Sequence, residues 1–189
     1  MKTALVARYH PLLVTLHWLL AVLIIAMLCI GFLVLAPMPN TDPQKIGILL
    51  LHMSVGMAIF ALMVVRFIVR TRTSRPVDAT TGYKRLDRLA PITHYGFYVL
   101  VVLMVGSGYA TAILAGLNKS VFQGSGDPLP PDFSIYPTFV AHGTLAALLA
   151  GFIVLHVLAA LFHQFVLRDG LVRRMLFDRR GPTSSAQAK

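Results

Sequence analysis

The sequence predicts an all-α integral membrane protein, a four-helix bundle running up-down-up-down with both termini cytoplasmic. Three observations lead there. Only 13% of the 189 residues are charged and 57% are hydrophobic, whereas about a quarter of a soluble domain is charged. Mean hydropathy is +0.74. Four windows, 18–41, 46–65, 89–118 and 133–167, contain no Asp, Glu, Lys or Arg, and each has the ~20 residues needed to cross a hydrocarbon core as helix. The third observation is the placement of the basic residues, taken up below.

The spans are predicted near 12–36, 46–69, 91–115 and 137–166, and the chain 1–189 reads as a single membrane domain without repeats or low-complexity tracts. Lys2 and Arg8 before the first span imitate a signal-peptide n-region. The apolar stretch is too long for one and no small-residue cleavage site follows, so span one is expected to be retained. Residues 116–136, rich in Gly and Pro, are expected to form an ordered external loop, and 181–189 a flexible tail.

The 17 Lys and Arg stand against seven acids, all Asp, giving a net charge of +10. On a polar surface this would suggest a nucleic-acid partner. Here the cations flank the spans: Lys2 and Arg8, then Arg66 to Arg88 in the second connection, then Arg168 to Lys189 in the tail. Only Lys45 and Lys119 fall on the other side. This is the positive-inside pattern of cytoplasmic termini, and no nucleic acid is expected. The single cysteine, Cys29, excludes an intrachain disulfide and Cys-pair metal motifs, and the absence of Cys-x-x-Cys-His excludes covalent haem attachment.

Seven histidines accompany no Glu. An ionisable residue within lipid is a functional hypothesis by default. His142 and His156 on span four are 14 residues apart, almost four whole turns, so they share a face about 21 Å apart along the axis. Span one starts inside, which sets His17 at the depth of His156. Span two starts outside, which sets His52 at the depth of His142. Two cross-helix pairs, His17/His156 and His52/His142, are therefore expected at separate heights. Zinc prefers three or four protein ligands, usually with Cys or carboxylate, and neither pair has one nearby. Two neutral imidazoles facing across a flat gap suit a haem iron with both axial positions filled. Gly56, one turn after His52, and Gly143 and Gly151 on span four leave room for a porphyrin face, or serve ordinary close helix packing. Arg66 follows His52 by the same 14 residues, a position suited to a haem propionate, or simply starts the basic flank.

At these residues the chain resembles the prokaryotic cytochrome b561 family, four-helix di-haem membrane proteins. The matching pieces are Leu16-His17-Trp18-Leu19-Leu20, His52-Met53-Ser54-Val55-Gly56, Met63-Val64-Val65-Arg66 with Arg70, His142-Gly143-Thr144-Leu145-Ala146, and Leu155-His156 with His163 one heptad on. The resemblance implies two non-covalent haem b groups on the same histidine pairs, with electron exchange to membrane ubiquinone in the bacterial inner membrane. Some members are similar to superoxide oxidases. It thus implies an iron-containing oxidoreductase of the superoxide:ubiquinone or general quinone-reducing type, fed by a donor on the outer, periplasmic face. The alternative is a haem subunit relaying electrons from a partner dehydrogenase or hydrogenase to quinone. A proton or metal transporter would need acidic residues in the spans, and there are none. For superoxide, Lys45 and Lys119 against Asp42, Asp127 and Asp132 make no broad cationic funnel, though either lysine can act locally.

His94 opens span three and reads as a quinone-site or interface residue, or as a packing or propionate contact. His163 reads as a quinone or proton-shuttling residue, or as an interfacial side chain snorkelling to water. His10 is expected on a solvated flank, Trp18 and Tyr136 in an aromatic belt, and Met53, Met57 and Met63 in core packing.

Overall fold

A computed structural model describes residues 8–74, 76 and 89–176. The expected tail 181–189 and the cations Lys84, Arg85 and Arg88 lie outside the described residues. Four long helices carry the fold: α1 Pro11–Cys29, α2 Gln44–Arg72, α3 Leu89–Leu114 and α4 Pro137–Phe162. α1 runs on into a π-helical turn, Ile30–Leu35, and α4 into another, His163–Leu167. Each of the four segments is long and apolar enough to cross a membrane. Among the described residues there is no strand.

Local chemistry sets the helix ends. His10, expected only as a solvated flank, caps α1: its Nδ1 accepts the Leu12 N–H at 3.3 Å, with Pro11 in the first helical position. α4 also starts on a proline, Pro137. α2 continues past the expected residue 69 to Arg72, with Arg70 and Arg72 in its last turn, where cations suit the carbonyl end of the helix.

Successive helices pack as neighbours, α1 on α2, α2 on α3, and most extensively α3 on α4. One core cluster joins Leu20 of α1, Ile59 and Met63 of α2 and Val101 of α3. A second lies at the opposite end, where Ala112 of α3 is covered by Leu117, Val121, Leu129 and Phe133 of the long connection. That connection contains a π-helical turn, Asn118–Phe122, and the Asn40 side-chain amide ties it down by donating to the carbonyls of Pro130 and Pro131. Large apolar residues such as Leu33 and Leu155 point outward, as in a protein whose solvent is lipid. Met53 and Met63 pack into the clusters, but Met57 is 48% exposed and belongs to the outer surface: it sits on the α2 face turned away from α1 and α3. Trp18, besides its half-exposed ring, donates its indole N–H to the Met175 carbonyl at 2.7 Å, joining the start of α1 to the segment after α4.

One feature of the packing matters for the site. α4 makes little backbone contact with α1 or with α2. On that side the bundle is bridged by side chains, and those side chains are histidines.

Candidate functional site

Each histidine pair expected from depth is brought together across one of these loosely packed seams. His17 of α1 and His156 of α4 have ring centroids 6.3 Å apart with planes at 67°. His52 of α2 and His142 of α4 have centroids 6.2 Å apart at 72°. The first pair lies at the end carrying Arg66, Arg70 and the segment after α4 (the basic end). The second lies toward the long connection (the loop end).

His142 is held from behind by α3. Its Nδ1 lies 3.0 Å from the Met104 carbonyl and 3.2 Å from Ser107 Oγ. A carbonyl only accepts, so Nδ1 carries the hydrogen and Nε2 keeps the free lone pair. Gly108 makes room for this ring, since a Cβ there would stand 3.0 Å from His142 Cε1. None of these three residues was singled out from sequence; the run Gly106-Ser107-Gly108 on span three was the available signal. His52 approaches from α2 with Nδ1 buried and unpartnered, its Cε1 3.7 Å from where a Cβ on Gly31 would lie.

The basic end is more crowded than sequence reasoning foresaw. His94 of α3, expected as a quinone-site or interface residue or as a packing or propionate contact, has its ring centroid 6.1 Å from that of His156, and Phe97 meets His156 edge-on at 5.5 Å. His156 therefore faces two imidazoles. The difference lies in the helices around them. α3 and α4 are the closest-packed pair, and a Cβ on Gly96, two residues after His94, would come within 2.9 Å of the Phe152 side chain. α1 and α4 make far less backbone contact, which leaves more room between them for a flat group.

Arg66 is buried, donates to the Tyr98 hydroxyl at 2.8 Å and lies over the Tyr98 ring. It is within electrostatic reach of His17, His94 and His156. Arg70, one turn on, is equally buried and acts on His94. Among the described residues no acidic side chain pairs with either arginine. Gly56, Gly143 and Gly151 have open space where a Cβ would be. His163, expected as a quinone or proton residue, lies beyond the seam, with its Nδ1 against Asp169 Oδ2. Burial pushes the Asp169 carboxyl up, but hydrogen bonds from His163 and the Leu171 amide, with the charges of His163 and Arg174, outweigh it and hold it below its ordinary value. Lys45, one of the two lysines able to act locally at the loop end, is buried and donates to the Met38 carbonyl. Lys119 is exposed.

A metal ion is the simplest object these pairs fit. A metal–imidazole bond of about 2 Å puts the ring centre about 3 Å from the ion, so two rings on one ion stand about 6 Å apart. Among the described residues no group of three or more His, Cys, Asp or Glu is arranged to hold an ion. An ion between two imidazoles must then bring its remaining ligands with it, as a porphyrin does. Buried Arg66 and Arg70, paired with no carboxylate among the described residues, would suit its propionates.

A family model described as prokaryotic cytochrome b561 matches residues 8–178. The probable superoxide oxidase CybB of Yersinia pestis is 30% identical over 180 residues, 92% of this chain and 98% of that protein. Cytochrome b561 homolog 2 of Escherichia coli (strain K12) is 28% identical over 173 residues, 89% of this chain and 91% of that protein. With membrane-length helices and facing imidazoles already in place, the chain belongs to the prokaryotic cytochrome b561 family, as a bacterial membrane haem protein of electron transport.

Proposed function

We propose that this protein carries single electrons across the bacterial inner membrane through two haem b groups and delivers them to ubiquinone. His17 and His156 hold one haem at the basic, cytoplasmic end. His52 and His142 hold the other at the loop, periplasmic end. The observation that carries this reading is the 6.2 and 6.3 Å spacing of two imidazole pairs across helices that barely touch through their backbones. The orientation follows from the basic flanks.

Bound haem supplies reversible one-electron reduction and oxidation. The chain does the rest. The four imidazoles would hold the iron of the two groups from both sides and so exclude oxygen from it. The Met104 carbonyl fixes the His142 tautomer, an outer-sphere contact of the kind that raises ligand basicity. Arg66, steadied by Tyr98, and Arg70 would hold the propionates at the basic end. Gly56, Gly143 and Gly151 leave room beside the ring. His17 rather than His94 is assigned as the partner of His156, because α1 and α4 make little backbone contact while α3 and α4 pack extensively. His94 and His163 serve the quinone and its protons at the basic end.

The donor reaches the loop end, and superoxide is the proposed one, releasing dioxygen as it gives up its electron. The name of the Yersinia pestis relative supports this. The near-balanced loop-end charge and buried Lys45 leave exposed Lys119 as the local cation for an anionic donor.

In stopped-flow mixing of the purified protein with superoxide and a short-chain ubiquinone, the haem bands are reduced and then reoxidised. One ubiquinol forms for every two superoxide consumed, with two protons from water. A haem that superoxide reduces no faster than buffer does, with ubiquinone left oxidised, would overturn the assignment.

A further inference from the structure

We propose that Asp169 is the positioning residue that holds His163 as proton donor to the electron acceptor at the basic end. The inference rests on the reading of that acceptor as a quinone.

The backbone after α4 is shaped to return one carboxylate to one imidazole. The helix widens into a π-helical turn starting at His163, and π turns frequently mark functional positions. Arg168 then takes a left-handed conformation, φ 53°, and Gly170 follows at φ 70°. Arg168 is the only non-glycine residue with positive φ among the described residues, and such backbone strain persists only where its surroundings enforce it. The reversal brings the Asp169 amide to the His163 carbonyl and Asp169 Oδ2 to 2.5 Å from His163 Nδ1. Oδ1 accepts the Leu171 N–H at 2.9 Å, fixing the carboxylate from its other side.

A carboxylate only accepts, so the hydrogen between the two groups sits on Nδ1. The tautomer is thereby set and Nε2 is the atom free to exchange a proton, the logic by which an aspartate orients a catalytic histidine. The side chains are 15% and 23% exposed, sheltered yet close enough to water for refilling. The Phe162 ring meets His163 edge-on, and Arg174 acts on Asp169. Arg168 and Arg173 line the adjoining cleft with Gln164, Phe165 and Gly170. Gln164 Oε1 is buried and unpartnered, an acceptor suited to a hydroxyl such as a quinol presents.

In the proposed step His163 starts as the imidazolium, its Nδ1–H bonded to the Asp169 carboxylate and its second proton on Nε2. The acceptor takes one electron delivered through haem, and one carbonyl oxygen takes the proton from Nε2: that N–H bond breaks and an O–H bond forms. The neutral ring, still bonded through Nδ1–H to Asp169, regains the Nε2 proton from water. The cycle runs twice per quinone.

The test uses the full, haem-loaded protein, reduced in advance and mixed with short-chain ubiquinone. His163→Gln should lower kcat about a hundredfold, and Asp169→Asn about ten- to a hundredfold, with KM for quinone within about threefold of wild type and haem spectra intact. Asp169→Glu should recover most of the rate, and the double variant should be no slower than His163→Gln. If Asp169→Asn matches wild type while His163→Gln is slow, the positioning role fails and the quinone reading stands. If both variants lose haem, Asp169 is a structural clip and the proposal fails. If reduced wild-type protein does not pass electrons to ubiquinone, the quinone reading fails and this proposal with it.

Discussion

If the proposed ligands are right, alanine at His142 or at His52 should halve the haem bound per polypeptide and leave the basic-end haem in place. Removing one imidazole would take away one of the two proposed iron ligands and, at His142, the contact to Met104 that orients it; the remaining ring should not hold the macrocycle alone in a seam with little backbone contact. His17→Ala gives the mirror result, loss of the basic-end haem alone. His94→Ala should keep both, although His94 lies as near His156 as His17 does, because α3 and α4 pack more extensively than α1 and α4. Haem extracted per mole of protein, with redox difference spectra to tell the two sites apart, decides this. Full haem content in both the His52 and His142 variants would reject the ligand assignment, and loss of a haem in His94→Ala would move the basic-end site to the α3–α4 seam.

Leucine at Gly108 disables the loop-end site without touching a ligand. The first added carbon would lie 3.0 Å from His142 Cε1 and 3.1 Å from Nδ1, tighter than most side-chain carbons sit against a neighbour, and the remaining leucine carbons add to that crowding. The imidazole must tilt, which breaks its hydrogen bond to the Met104 carbonyl. Losing such support typically weakens metal affinity 10- to 100-fold, so the loop-end haem should titrate out at that much lower affinity, while the basic-end haem is unchanged. Ser107→Ala, which leaves the carbonyl in place, should have a much smaller effect. Wild-type affinity in Gly108→Leu would mean that His142 is free to move and that α3 does not position it.

The fold was readable because lipid leaves so few options: a chain that crosses it must carry long charge-free segments, and four such windows locate four helices. The paired histidines were readable because helical period is rigid, so an interval of almost four turns between His142 and His156 has one meaning. What escaped the sequence depends on how one helix is rotated against another. The closeness of His94 to His156 is set by the tight α3–α4 packing at Gly96 and Phe152, a property of the pair and not of either segment. The acceptor behind His142 is a backbone carbonyl, which has no letter of its own. Asp169 reaches His163 only because Arg168 turns left-handed, a conformation disfavoured for arginine that its letter does not announce. Met57 shows the reverse failure, an apolar letter assigned to the interior that faces outward.

The weak backbone contact along α4 has a consequence for the life of the protein in the cell. A group that binds only the assembled state stabilises it by mass action, and here the iron-bound rings would act as the rivets closing one side of the barrel of helices. The polypeptide's lifetime should therefore follow porphyrin biosynthesis: when that supply fails, the unriveted side opens first, and membrane proteases clear the chain before its neighbours.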